Sequence, residues 1–396
     1  MEIIIHRGTH QIGGCATEVR TKNTRILIDF GAELPDATGY LPPDDLTISG
    51  LNCGTPDFDG VLLTHYHGDH LGLINQIPDG TPIYLGRNAI TIHQVYVRRL
   101  GNHAPEDMRK AAECLRPLDA LSSFTIGDIT VTPLPADHSA WDALMFLIEA
   151  EGKRVLHTGD FRLHGFRGKY TLQMLSRYAA GTDILVIEGT QFSGNRHEVI
   201  SEQALQEKIK EEIRRNKYVF ALCASTNIDR LASLHNATPR GKYFLCDRYQ
   251  KDILEAVRAG ARSTCYQFSK VLVYGKNLEQ KLRKRGFVMA VRAGRYFSQA
   301  AEQYPEAILI YSMWEGYLDG RNPTLSEFVR PFAETGRIRY LHASGHASAQ
   351  TLKQVCDTVQ PRLGILPIHS EQPEHFRTLG LQFSVLSPAD GEVISF

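Results

Sequence analysis

The chain has 396 residues, with 44 Lys/Arg against 44 Asp/Glu, so net charge gives no case for a polyanion partner. Its 42% hydrophobic content and 33 glycines fit an ordinary soluble globular protein of two or three domains and exclude a disordered or fibrous chain. No run reaches the roughly 20 apolar residues of a membrane span, no basic and apolar leader opens the chain, and the seven scattered cysteines contain no CxxC pair. Neither a membrane, a disulfide framework nor a thiolate zinc knuckle is therefore expected, and the cytoplasm is the default compartment.

Short apolar runs at 3–5, 26–28, 61–63, 129–131, 144–148 and 184–187 read as strands. Several are continuously apolar, as in sheets covered on both faces. Residues 88–99 and 106–115 read as helices between them. Beyond residue 190 the pattern becomes that of a parallel α/β unit. It opens with a helix over 202–215, with Leu205, Ile209 and Ile213 on one stripe and Glu211 and Arg215 as an i,i+4 pair. Strand-like runs follow at 218–222, 243–245, 271–273 and 307–310, and strand character resumes at 338–341 and 363–366. The expected organisation is a first domain part over 1–190, an inserted α/β domain over 191–335, and a returning part over 336–396.

Charge is segregated within the insert. Residues 240–299 carry 14 Lys/Arg against four Asp/Glu, an excess expected to form a polyanion-binding surface.

Residues 64–70, Thr-His-Tyr-His-Gly-Asp-His, follow the apolar run at 61–63. This spacing lets one turn address two metal ions, His65 and His67 one of them, Asp69 and His70 the other. Imidazole and carboxylate donors suit zinc, with manganese as the alternative. A catalytic zinc usually takes three protein ligands, so further ligands should lie at later strand ends. His138, Asp160 and His369 each follow an apolar run and are the candidates.

The order HxHxDH, His138, Asp160, His369 resembles the metallo-β-lactamase fold, an α/β architecture in which two sheets are sandwiched between helices as αββα. The resemblance implies that His65, His67 and His138 hold one metal, that Asp69, His70 and His369 hold the other, and that Asp160 bridges the two. It also makes Asp29 the family's early aspartate, which orients ligands by accepting an imidazole N–H. Glu188 and His346, flanking the insert, together with His369, are similar to the three added motifs of the β-CASP nucleases, whose accessory domain interrupts the lactamase fold. The RNase J branch is the best match, and histidine at 369 favours RNA over DNA as substrate. The chain ends at Phe396, so the C-terminal domain that many RNase J proteins append is not expected. A homodimer is left open.

The segment around Ser225, Asn227 and Arg230 is similar to an accessory-domain stretch of these nucleases. It is expected either to present donors to a phosphate or to be a helix start capped by Ser225 or Thr226. Ser312, Ser344 and His346 complete the expected substrate contacts. The stretch 310–316 departs from the Gly-Ser-Gln-Gly-Glu-like turn of RNase J proteins, with Trp314 as a base-stacking candidate.

The resemblance thus implies a metal-dependent ribonuclease, cutting internally or from the 5′ end by attack of a hydroxide held between two metal ions. Asp69 and Asp160 would serve this chemistry directly. His346, oriented by Glu188, would protonate the leaving oxygen, and the basic stretch would draw in the RNA backbone. The competing expectations are a small-molecule metallo-hydrolase acting on a lactam, lactone or thioester, a DNA nuclease on the same fold, and a non-catalytic RNA-binding scaffold.

Overall fold

The apolar runs of the first 190 residues become two sheets. In the computed structural model, which describes residues 1–396 apart from 37, 44, 194–198 and 321, the seven strands of one sheet run in the order Val393–Ser395, Glu2–Arg7, Ala16–Arg20, Arg25–Ile28, Gly60–Leu62, Ile83–Gly86 and Arg116–Leu118. The second sheet has six strands in the order Gly364–Ile368, Ile184–Glu188, Lys153–His157, Leu144–Ala150, Ile129–Pro135 and Phe124–Ile126.

Alternation along the strands decides which residues meet. Ile3, Ile5, Val19, Ile26, Ile28 and Leu62 from one sheet pack against Val131, Phe146, Ile148, Val155, Val186 and Leu366 from the other. The intervening residues of the second sheet, among them Leu147, Leu156, Leu185 and Ile365, face outward and pack with Leu175 of helix Thr171–Tyr178 and with Leu352 and Val355 of helix Ala349–Val359. Helix Arg87–Leu100 buries Ile90, Ile92, Val95 and Val97 next to the first sheet. This is the αββα sandwich, and coverage on both faces explains why its central strands are continuously apolar.

The chain separates into two compact units, one made of residues 1–35, 41–198 and 345–396, the other of 36–40 and 199–344. The second unit is built on a six-stranded parallel sheet in the order Leu272–Val273, Tyr243–Cys246, Phe287–Val291, Tyr218–Leu222, Ile308–Tyr311 and Ile338–Tyr340. The run at 338–341 was expected to belong to the returning part. Instead Leu309 pairs with Ile338 and Tyr311 with Tyr340, so the insert's sheet takes this strand and the second unit extends to residue 344 rather than 335. At its other end the unit begins at 199 rather than 191.

In the first unit, Lys153–His157, Ile184–Glu188 and Gly364–Ile368 are mutually parallel, as are Arg25–Ile28 and Gly60–Leu62. Asp29, His65, Asp160, Glu188 and His369 therefore all stand at carboxyl ends of strands. No helix of the described residues is long and apolar enough to cross a membrane.

Candidate metal centre

Strand Gly60–Leu62 runs into the histidine-rich turn and the short helix Gly68–Leu71. Three backbone hydrogen bonds strap this turn down. Phe30 N–H donates to the His70 carbonyl at 2.8 Å, Ala32 N–H to Gly68 at 2.9 Å and Cys15 N–H to Asp69 at 3.1 Å. Gly31 passes so close that a Cβ would lie 1.7 Å from the Asp69 carbonyl oxygen, so this position accepts no side chain.

Two donor groups form. His65, His67 and His138 cluster in one of them, with ligand atoms within 4.8 Å of one another. His138 Nε2 lies 3.3 Å from His67 Nδ1. In the other, Asp69 Oδ2 lies 3.2 Å from His369 Nε2 and 3.9 Å from His70 Nε2. Asp160 stands between them, its Oδ2 3.9 Å from His65 Nε2 and 3.3 Å from His70 Nε2. A tetrahedral zinc at about 2.0–2.1 Å from each nitrogen spaces its donors by roughly 3.3–3.4 Å, so the separations of 3.2 and 3.3 Å match a shared cation and those of 3.9 Å are wider than it. Among the described residues, His65 Nε2, His70 Nε2 and Asp160 Oδ1 are buried without a hydrogen-bond partner, a costly state that a cation would relieve.

The remaining ring nitrogens are held from behind. Asp29 accepts from His70 Nδ1 at 2.8 Å and from the Thr64 hydroxyl at 2.8 Å, and that hydroxyl lies 3.1 Å from His65 Nδ1. His138 Nδ1 donates to the Gly345 carbonyl at 2.8 Å, and His369 Nδ1 meets the Thr190 hydroxyl at 2.8 Å. Each of these bonds turns an Nε2 lone pair toward the cluster. Asp29 and His369 have φ of 60° and 50°, left-handed values that are uncommon for non-glycine residues and that Asp and His tolerate better than most.

Electrostatics divide the two groups. Burial, reinforced by neighbouring imidazoles, depresses His65 and His138 well below the usual histidine range, and burial brings His67 down to about 4. These rings are neutral at physiological pH, with lone pairs available. Burial would also lower His70, but the carboxylates of Asp160, Asp29 and Asp69 outweigh it and hold the ring well above its ordinary value. The same neighbours act in reverse on Asp69 and Asp160. Burial would raise both, but His70 and His369, joined at Asp160 by His346, keep them well below the usual carboxylate range.

Beside this cluster, His346 Nδ1 donates to Glu188 Oε2 at 3.1 Å and lies 3.6 Å from Asp160 Oδ2. Glu188 is fixed by the Phe161 N–H at 2.8 Å and by the Thr190 hydroxyl at 2.7 Å. Burial alone would depress His346, but the Glu188 and Asp160 carboxylates raise it to about 9.

The expected phosphate contacts of the second unit fare differently. Arg230 is 0% exposed. It pairs with Glu202 at 2.9 Å and donates to Ser312 Oγ and the Ala343 carbonyl. It is a buried cross-brace rather than a substrate contact, and Ser312, spent on Arg230 and on the Leu341 carbonyl, is part of the same brace. Asn227, not Ser225 or Thr226, caps helix Ile228–Ala237, accepting from the Arg230 N–H. Ser225 is buried, whereas Ser344 is half-buried. Residues that sequence reasoning missed are Thr64, Thr190, the Gly345 carbonyl and Cys15. Cys15 lies with His70 and His369, but burial pushes its thiol well above the usual range, so it packs as a neutral neighbour.

Two family models match the chain. One, described as a beta-lactamase superfamily domain, matches residues 24–215, and a second, the Zn-dependent metallo-hydrolase RNA specificity domain, matches residues 335–380. The chain is 24% identical over 202 residues to an endoribonuclease ysh-1 of Neurospora crassa, covering 46% of this chain and 23% of that protein. It is 25% identical over 167 residues to ribonuclease J of Helicobacter pylori, covering 39% of this chain and 22% of that protein. The matches thus span under a quarter of those relatives' lengths. A crystal structure of a protein of unknown function from Enterococcus faecalis V583 superposes with a TM-score of 0.79 over 99% of both chains at 22% identity, a likeness of fold. With its αββα sandwich, its histidine and aspartate cluster and both family models in place, the chain carries a beta-lactamase superfamily domain and a Zn-dependent metallo-hydrolase RNA specificity domain, with a second α/β unit interrupting the sandwich.

Proposed function

We propose that this protein is a metal-dependent ribonuclease that hydrolyses RNA phosphodiester bonds. The observation that carries the reading is the His346–Glu188 pair held beside Asp160, inside a chain whose RNA-specificity segment contains both His346 and His369. Phosphodiester hydrolysis needs charge relief at the non-bridging oxygens, a nucleophile at neutral pH, and a proton for the leaving oxygen. Two divalent ions, zinc or manganese, held by His65, His67 and His138 and by Asp69, His70 and His369, would supply the first two when bound.

The proton is the chain's own contribution. Glu188, which is not among the proposed metal donors, raises His346 and so favours the imidazolium that can donate to the leaving 3′-oxygen. Glu188 accepts the Nδ1–H and so orients the ring. Thr190 and the Phe161 N–H hold Glu188 against rotation, so the ring is oriented before substrate arrives. Asp160, touching both donor groups, fixes their separation. Asp29 and Thr64 set the tautomers of His70 and His65 from behind. The basic stretch 240–299 supplies attraction for the RNA backbone.

The test is incubation of metal-loaded protein with single-stranded RNA and DNA bearing 5′-monophosphate, 5′-triphosphate or 5′-hydroxyl ends. An Asp69→Ala/His70→Ala protein is the control, and product lengths are the readout. Cleavage of RNA that depends on the added metal supports the reading, and product lengths assign internal or 5′-end cutting. Hydrolysis of a lactone with no cleavage of RNA would reverse it in favour of a small-molecule hydrolase.

A further inference from the structure

Trp314, Tyr317 and Tyr340 are exposed at one end of the second unit's sheet. Trp314 is 54% exposed, Tyr317 42% and Tyr340 47%. Tyr340 ends strand Ile338–Tyr340, and Trp314 and Tyr317 lie in the turn that follows Ile308–Tyr311. All three therefore belong to the carboxyl end of a parallel sheet, the end at which such sheets bind ligands. The topology marks this place. The chain leaves Tyr218–Leu222 toward Tyr243–Cys246 on one side of the sheet order, and leaves the adjacent Ile308–Tyr311 toward Ile338–Tyr340 on the other, and open α/β sheets bind ligands where two such connections diverge.

The rings are held in place. The Trp314 carbonyl accepts the Tyr311 hydroxyl at 3.0 Å and the Tyr317 N–H at 3.2 Å. The indole lies against Gly316, where a Cβ would stand 2.3 Å from its six-membered ring, so the turn needs glycine at that position for the ring to lie down. Tyr317 meets the indole edge-on, with centroids 5.3 Å apart and planes at 85°. Tyr311, fully buried, packs its own ring on Tyr340 at 5.8 Å. One buried tyrosine thus supports both sides of an exposed aromatic surface.

Glu315 and Asp319, both exposed, sit within the same turn. We propose that Trp314 and Tyr317 form a nucleobase-stacking platform for single-stranded RNA. The excess of cations over 240–299 of the same unit attracts the backbone, and the rings take the bases without reading their sequence, because every base presents a π-face. The identity of the polymer rests on the ribonuclease reading, but the stacking requires no chemistry at the metal centre.

Trp314 reports on itself, since the chain has two tryptophans and Trp141 is 8% exposed. The full chain is titrated with a 5′-hydroxyl 2′-O-methyl phosphorothioate oligoadenylate, which resists cleavage, and separately with inorganic polyphosphate, while tryptophan emission is followed. The oligoadenylate is expected to quench the exposed indole and polyphosphate to leave it unchanged. Trp314→Ala should lose the quenching and bind the oligoadenylate roughly five-fold or more weakly, and Trp314→Phe should recover most of the affinity. No quenching of the wild-type protein, equal quenching by polyphosphate, or a natively folded Trp314→Ala protein of unchanged affinity would overturn the platform. Quenching that persists in a protein unable to cut RNA would sink the ribonuclease reading and leave the platform standing.

Discussion

The Thr190 hydroxyl lies 2.8 Å from Nδ1 of His369. It also donates to Glu188 at 2.7 Å, so its oxygen is left to accept the His369 N–H, and Nε2 of that ring faces Asp69. One hydroxyl therefore couples the proposed acid pair to the proposed second metal position. Replacing Thr190 with Val should lower affinity for the more weakly held ion by about 10- to 100-fold, while Thr190→Ser restores it. Calorimetric metal titration reads this, and a valine variant with wild-type affinity for both ions would remove Thr190 from the site.

His346 should matter for turnover and not for metal content. His346→Ala is expected to cut RNA about 100- to 10,000-fold more slowly while retaining its metal by atomic absorption. Loss of both ions in that variant would show that the residue supports the metal sites instead.

The proton on His346 also sets a pH dependence. Glu188 raises the ring above its ordinary value, so the donor is lost as pH rises through that raised value. Glu188→Gln removes a carboxylate that raises it, and the alkaline limb of the pH–rate profile should move to lower pH. A limb unmoved by that substitution would assign the group to some other residue.

Metal uptake should be linked to proton release. In the metal-free chain three carboxylates hold His70 well above its ordinary value, and a metal requires the neutral ring, so binding at this position displaces about one proton. Affinity should fall as pH is lowered. Calorimetry in buffers of different ionisation enthalpy counts the proton, and a count of zero would contradict the reading.

Arg230 should govern stability and not RNA affinity. Removing one partner of its fully buried pair with Glu202 leaves an uncompensated charge, so Arg230→Ala should cost about 3–5 kcal/mol in urea unfolding. A variant of unchanged stability that binds RNA poorly would restore the phosphate-contact reading.

Arg258 and Lys270 line a cavity of about 200 Å³ together with Lys251, Leu254, Glu255, Phe268 and Val271. If both meet RNA phosphates, the Arg258→Ala/Lys270→Ala protein should show a slope of log affinity against log salt about 1.4 smaller than wild type. An unchanged slope would place the contacts on other cations of the stretch.

The parts legible in the sequence are those written locally. His65, His67, Asp69 and His70 lie within one turn, so their spacing carried the signal, and the helix expected over 202–215 forms as Glu202–Arg215 because its apolar stripe and Ser201 cap agree. What stayed hidden depends on closure over distance. Thr190 and His369 are 179 residues apart, and His138 and the Gly345 carbonyl are 207 apart. No local pattern marks a threonine or a carbonyl as the support of an imidazole. Arg230 misled for the same reason, since a cation near a helix start looks alike whether it meets phosphate or a buried glutamate. The strand Ile338–Tyr340 was recognisable as a strand, but the sheet it joins is set by parallel register with Ile308–Tyr311, which the strand's own residues do not encode.

The sandwich closes only when residues 345–396 return to it. Gly364–Ile368 then pairs with Ile184–Glu188, and Val393–Ser395 with Glu2–Arg7. His346 and His369 travel on that last segment. During translation the ribosome therefore delivers His65 through Asp160 well before the residues that complete their cluster, and the whole second unit must emerge in between. Synthesis order acts as a delay: His346 and His369 join the earlier residues only after the second unit has been made.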